Sequence, residues 1–331
     1  MSEQLEPAVR CVGRVYVGVE SFGPVVRCFR DGLGWVVTDH DAIPAADSAW
    51  LWGVDAEAEV VTLAPADDCP SGDVALLRFP KLDVKSYGAP SMVGYGYTAI
   101  SIQANDLTST IERVASSGGR AASSPVTYEV PRPGRAAHNT SVLMALPSDV
   151  TLVIAQPSDP RPTWTWEHRP EAPTTEVNFL IYRTPMWKET VEWWGPTGLG
   201  LDQPIAVKAG GPLGAELFGT VTGLDIDNAV TTNRAAARAE IHGPDLAGND
   251  ADEDLRPVQS PGQALGQVMW SVSLDSRPAD FAAWARSRGA TIVRNAERLR
   301  SPHFGTDAVA VVAGPDGQRV LVRFRGAPSP A

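Results

Sequence analysis

Several side chains with catalytic or binding chemistry stand two residues apart in stretches that read as β-strand. In Arg238-Ala239-Glu240-Ile241-His242 the alternate positions are Arg238, Glu240 and His242, and the two-residue period of a strand sends all three to one face. A carboxylate beside an imidazole on a concave surface is equipped for proton transfer, because burial and proximity tune both groups toward neutral pH. An exposed polar strand face is the plainer reading of the same spacing. Arg14 and Tyr16 share a face in the same way, and the guanidinium suits a carboxylate or phenolate ligand; a surface ion pair is the alternative. His138 and His303 hold matching places ahead of β-like runs, as a shared pocket rim or as solvated loop residues. Trp270 alternates with Val272 and offers a ring on which a planar ligand could stack, unless it is core. Asp39, His40 and Asp41 form a compact set of potential metal donors outside any recognisable spacing.

The elements that must position these groups recur. An alternating apolar strand, a short polar break, an amphipathic helix and several β-like runs begin near Gly13, Tyr97, Val177 and Gln267, at intervals of 84, 80 and 90 residues. Val15-Tyr16-Val17-Gly18-Val19 and Trp270-Ser271-Val272-Ser273-Leu274 are two of the opening strands, recognised by their period of two and β-branched content. Helical spacing follows in Phe22, Val26, Phe29 and Leu33, in Leu107, Ile111 and Val114, in Trp187, Val191 and Trp194, and in Phe281, Trp284 and Ala285. Glycines stop three of the helices, and Gly195-Pro196 stops the other. The unit is βαβββ, used four times, and repetition at this period fixes the architecture.

Composition limits the function classes. The 331 residues carry a net charge of −11, and the basic residues form no stripe, which argues against nucleic acid as a partner. No apolar run reaches the ~18 residues of a membrane span, and Met1 to Pro7 has neither the basic nor the apolar part of a secretory signal. Cys11, Cys28 and Cys69 are odd in number and lack metal-like spacing, so a cytoplasmic chain with free thiols is expected. The acidic stretch Asp245 to Asp254 reads as a solvated linker without the ligand spacing of a calcium loop. Polar joints divide the chain into an N-terminal domain, 10–156, with modules at 10–88 and 93–156, a linker at 157–173, and a C-terminal domain, 174–326, with modules at 174–246 and 262–326.

Four βαβββ modules resemble the vicinal oxygen chelate superfamily, which includes glyoxalase I, extradiol dioxygenases and the bleomycin resistance proteins. The likeness rests on Val15 to Val19 leading into Phe29-Arg30-Asp31-Gly32-Leu33-Gly34, on Asn105-Asp106-Leu107 through Gly118-Gly119, and on Phe304-Gly305 followed by Gly314-Pro315-Asp316-Gly317. It implies an α+β fold in which consecutive modules pair into two half-open, barrel-like domains around small-molecule pockets. It also implies that metal-using members draw ligands from first and last strands. Carried over, those positions fall near Arg14, Ala99, Val177 or Asn178, and Met269, and near Leu76, Thr151, Glu240 and Leu321. Only Glu240 is an ordinary ligand there, whereas a catalytic divalent site needs about three, so no metal and no cofactor are expected.

Two functions fit the resemblance. One is a metal-independent isomerase, cyclase or lyase acting on a secondary-metabolite-like compound, with Glu240 and His242 as catalytic groups and Arg14, Tyr16, Arg238, Trp270 and His303 as ligand contacts. The other is a drug-binding protein without chemistry; a metal-dependent dioxygenase or glyoxalase-type lyase is a more distant third. The partner is a small-molecule ligand in each case, and the chain is expected to be a monomer or a homodimer. A second resemblance, to the His, Asp and Ser segments of trypsin-like proteases, fails on chemistry. Asp41 stands where the family's His would follow Thr38, and Ser116-Ser117 ends a helix without the glycine of an oxyanion turn.

Overall fold

The computed structural model describes residues 9–82, 96–132, 135–160, 162–210, 223–230, 238–245, 268–274 and 281–324. Each expected module is present. The first runs β1 (Val9–Gly18), α1 (Phe22–Arg27) continuing as a π-helical turn (Cys28–Gly32), β2 (Val36–Ile43), α2 (Ala45–Trp52), β3 (Ala58–Ala64) and β4 (Val74–Arg78). The second comprises β5 (Gly96–Gln103), α3 (Leu107–Ser116), β6 (Arg120–Ala121), β7 (Val126–Arg132), β8 (Arg135–Ala145) and β9 (Thr151–Pro157). A short α4 (Trp164–His168) follows, then the third module with β10 (Phe179–Arg183), α5 (Trp187–Trp194), β11 (Asp202–Gly210), β12 (Gly223–Val230) and β13 (Arg238–Asp245). The fourth contains β14 (Val268–Leu274), α6 (Phe281–Ser287), β15 (Thr291–Arg298), β16 (Ala308–Ala313) and β17 (Arg319–Phe324).

Local chemistry accounts for these elements. Asp106 caps α3, its carboxylate accepting from the Ser109 amide at 3.0 Å, and Gly118 ends it with a φ of +106°, the conformation glycine adopts without strain. Leu107, Thr110 and Val114 bury one face. That face packs so closely on the first module that a methyl group on Gly32 would lie 2.9 Å from the Val114 Cα.

The modules pair differently from the expected order. One sheet runs β15-β16-β17-β14-β1-β4-β3-β2 and joins the fourth module to the first; the other, β11-β12-β13-β10-β5-β9-β8-β6, joins the third to the second. The seams are antiparallel pairs of opening strands, with Val15 opposite Trp270 and Tyr16 opposite Met269 in one, and Leu180 opposite Ile100 in the other. An opening strand flanked by its own module's last strand keeps one free edge, which any other opening strand can cover. Trp270 of β14 also packs across to the other sheet, resting on Tyr97 of β5 at 4.8 Å and on Trp194 of α5 at 5.1 Å between ring centroids.

The two faces of the first sheet have different fates. Val15, Val17, Leu76, Trp270, Val272 and Val322 look toward the helices and share one core with the second sheet. Tyr16, Ala75, Leu77, Met269, Val311 and Leu321 look the other way. This second face curls into a half-closed cup: the Ser301 hydroxyl, ahead of β16, donates to the Ala42 carbonyl of edge strand β2 at 2.9 Å. Leu51 and Trp52 of α2 fill the middle of the cup, and the Trp52 indole N–H points at the Met269 sulfur at 3.1 Å.

Candidate functional site

One end of the cup stays polar, and a bulge in β1 builds it. Register is lost between Val12 and Val15, so Gly13 and Arg14 together oppose Ser271. The Ser271 hydroxyl replaces the ladder, accepting from the Arg14 amide at 2.8 Å and donating to the Arg14 carbonyl at 3.0 Å. Bulges of this kind re-aim a side chain, and this one sends Arg14 into the cup.

The Arg14 guanidinium donates to Asp73, from Nε at 2.8 Å and from the adjacent nitrogen at 2.6 Å. A further N–H reaches His303 Nε2 at 2.9 Å. Burial opposes the charge on Arg14, but Asp73, Tyr16 and Asp39 together outweigh it and keep the guanidinium protonated. Arginine has only donors, so the nearer Nε2 accepts and the neutral His303 carries its proton on Nδ1, which lies 3.4 Å from the same Arg14 nitrogen and 3.6 Å from Asp41. Burial, with Arg14 and Arg323 nearby, pushes the His303 pKa well below the ordinary imidazole value. Asp41 moves the opposite way: burial and the neighbouring Asp39 carboxylate raise it to about 6. Burial also raises the Tyr16 phenol, whose ring meets His303 edge-on at 5.7 Å.

The supports of His303 come from α2. The carboxylate of buried Asp47 accepts from the Ser301 amide at 2.7 Å, and the Ser301 hydroxyl caps the 3-10 turn Pro302–Phe304 that carries the imidazole. Beside Arg14 a cavity of about 370 Å³ is lined by Gly13, Asp73, Ser271, Ser273, Asp307 and Arg323, among others.

The structure thus brings Arg14, Tyr16 and His303 together. Trp270 does not join them: it is fully buried on the helix-facing side, and its strand neighbours Ser271 and Ser273 line the cavity in its place. β13 sets Glu240 beside Ile181 and His242 beside Arg183 in register, but the side chains of Arg238, Glu240 and His242 lie outside the described residues, as does most of the acidic stretch after Asp245. His138 is exposed, so it does not repeat the buried setting of His303. Spacing along the sequence gives no sign of Asp73, Asp307, Ser273 and Arg323, which only the folded sheet assembles.

Two places bear on metal binding. Asp39, Asp41 and His303, in place of His40, form a group whose ligand atoms lie within 4.8 Å of one another. The Arg14 cation, in contact with the same imidazole at 2.9 Å, disfavours a second cation there. At the centre of the cup the first and last strands present Tyr16, Ala75, Met269 and Leu321. Leu76 points into the helix-side core and Ala75 takes its place, a one-residue slip from the expected position. Those four side chains do not fit a divalent metal.

Crystal structures of glyoxalase I from Zea mays superpose with a TM-score of 0.61 at 14% identity, covering 96% of this chain and 93% of that one. A putative dioxygenase from Bacillus subtilis gives a TM-score of 0.58 at 10% identity, covering 96% and 86%. The chain has the vicinal oxygen chelate fold. No protein-family model matches the chain, and no curated protein matches it in sequence. Among the described residues of this vicinal oxygen chelate fold, no helix is long and apolar enough to cross a membrane.

Proposed function

We propose that the chain binds a small polar molecule at the open end of the cup formed by its first and fourth modules, and moves a proton to or from it without a metal at the fold's strand positions. The observation that supports this is Arg14, which lines the cavity with one side and holds His303 toward Asp41 with the other. A ligand anchored in the cavity and extending past Arg14 meets a carboxylate whose pKa of about 6 suits a base operating near neutral pH. In the forward step Asp41 takes a proton from an acidic C–H of the ligand. The electron pair stays on the ligand as an enolate-type anion, which Arg14 stabilises. Return of the proton to another atom gives an isomer. Glu240 and His242, on β13 of the other sheet, are a second acid–base pair on this reading.

The experiment is proton exchange in D2O. The protein is incubated with pools of small polar metabolites, and each ligand's C–H signals are followed by NMR. The expected result is catalysed loss of one C–H signal, reduced at least a hundredfold by Asp41→Asn and retained in Glu240→Gln. Loss of exchange confined to Glu240→Gln would move the chemistry to the second sheet. Binding without any exchange would establish the sequestering alternative, which the filling of the cup's centre by α2 favours.

A further inference from the structure

The cavity beside Arg14 carries unspent hydrogen-bonding capacity of two kinds. The Ser273 hydroxyl is 1% exposed, and its oxygen has no hydrogen-bond partner among the described residues. The Nε of Arg323 is also buried without a partner among them, while the outer nitrogen of the same guanidinium donates to Asp307 at 3.0 Å. Buried donors without acceptors cost stability, and two lining one cavity mark where a ligand's acceptor belongs. Opposite in sign, the Asp73 and Asp307 carboxylates line the same space. Each has one oxygen on an arginine, and the two arginines and two aspartates sum to zero charge.

That balance selects the ligand. A bare anion would satisfy Arg323 and Ser273 but would face two carboxylates. A bare cation would satisfy the carboxylates and leave the buried Nε unpaired. A molecule with both an ammonium and a carboxylate meets both sets at once. Gly13 supplies the room: a methyl group there would lie 3.1 Å from the Ser271 hydroxyl and 3.6 Å from that of Ser273. The volume, at the low end of the ~300–1,000 Å³ of small-molecule pockets, suits a compact ligand. We propose that this cavity binds the amino-carboxylate head of a zwitterion such as a free amino acid, its carboxylate on Ser273 and Arg323 and its ammonium on Asp73 and Asp307. The proposal rests on the small-molecule reading above and names the ligand class for it.

The test is isothermal titration of the full chain with L-alanine, L-glutamine and L-phenylalanine, each beside its decarboxylated amine and its deaminated acid. At least one amino acid is expected to bind tenfold or more tightly than both counterparts. Ser273→Ala and Gly13→Ala should each weaken it at least tenfold. Ser273→Ala removes a hydroxyl that has no partner among the described residues, so its melting temperature should not fall, which separates lost binding from lost folding. Equal affinity for the acids, or binding unaffected by both substitutions, would overturn the proposal, as would no binding by any member of the panel. If the panel fails while Asp41-dependent exchange is seen with another ligand, the zwitterion class is wrong and the proposed function stands. Amino acid binding without exchange would support the zwitterion class and remove the proton-transfer step.

Discussion

His303 and Asp41 are displaced in opposite directions by the same surroundings, and stability should report it. Burial and two nearby arginines favour neutral imidazole in the folded state, so the unfolded chain binds the His303 proton first as pH falls. That contribution is complete above about 6.5, the ordinary histidine value, and is lost on acidification. Asp41, raised from 3.8 to about 6, holds a proton in the folded state that the unfolded chain has released. Its contribution is complete below about 4 and fades as pH rises through 6. Chemical denaturation between pH 4 and 8 should therefore show Asp41→Asn gaining on the parent chain as pH rises, and His303→Gln gaining on it as pH falls. Parallel curves for all three proteins would mean that neither group is shifted. Part of this site was legible from spacing: alternation in β1 puts Arg14 and Tyr16 on one face, and Asp39 and Asp41 are likewise two apart. That His303 completes the group, where His40 is the nearer neighbour in sequence, follows from the curl of a sheet and has no local signal.

Among the elements, the opening strands and their helices announce themselves by period, whereas α2 does not. Ala45 to Trp52 is short and only weakly amphipathic, and its apolar Leu51 and Trp52 find partners from another module, among them Met269. The repeated βαβββ pattern has no place for this helix, because the surface that stabilises it is assembled from strands of its own module and from Met269, more than two hundred residues away in sequence. Its packing should be measurable. Trp52 contacts Tyr16 and Phe79 ring to ring at 6.1 and 5.9 Å, so Trp52→Ala should cost about 3–5 kcal/mol in urea denaturation. Trp52→Phe, which keeps most of the ring, should cost less than half as much. A loss below ~1 kcal/mol for the alanine variant would show that α2 does not plug the cup. Because Asp47 of the same helix holds the turn of His303, a loosened α2 should also flatten the pH response of His303 and Asp41.

At the level of the whole molecule, four repeats predict four modules but leave their partners open. Each module supplies the same kind of opening strand, so consecutive pairing and crossed pairing satisfy the backbone equally well. The crossed solution is seen in the β1–β14 and β5–β10 ladders, while Trp270 on Tyr97 and the Tyr97 hydroxyl donating to the Arg319 carbonyl at 2.8 Å tie the two sheets together by binding the second module to the fourth. A consequence separates the two arrangements. With consecutive pairing, a fragment of residues 1–160 would contain one complete sheet and fold alone. With the observed pairing it contains half of each sheet, and β1 and β5 lose the partners that cover Val15 and Ile100. Exposed opening strands of this kind leave unpaired backbone and apolar surface. The fragment should give a collapsed amide spectrum or aggregate, and mixing it with residues 161–331 during refolding should restore the dispersion of the intact chain. A monomeric, well-dispersed 1–160 fragment would show that β1 and β5 cover one another when β14 and β10 are absent, so that the first two modules do not depend on the crossed pairing to fold.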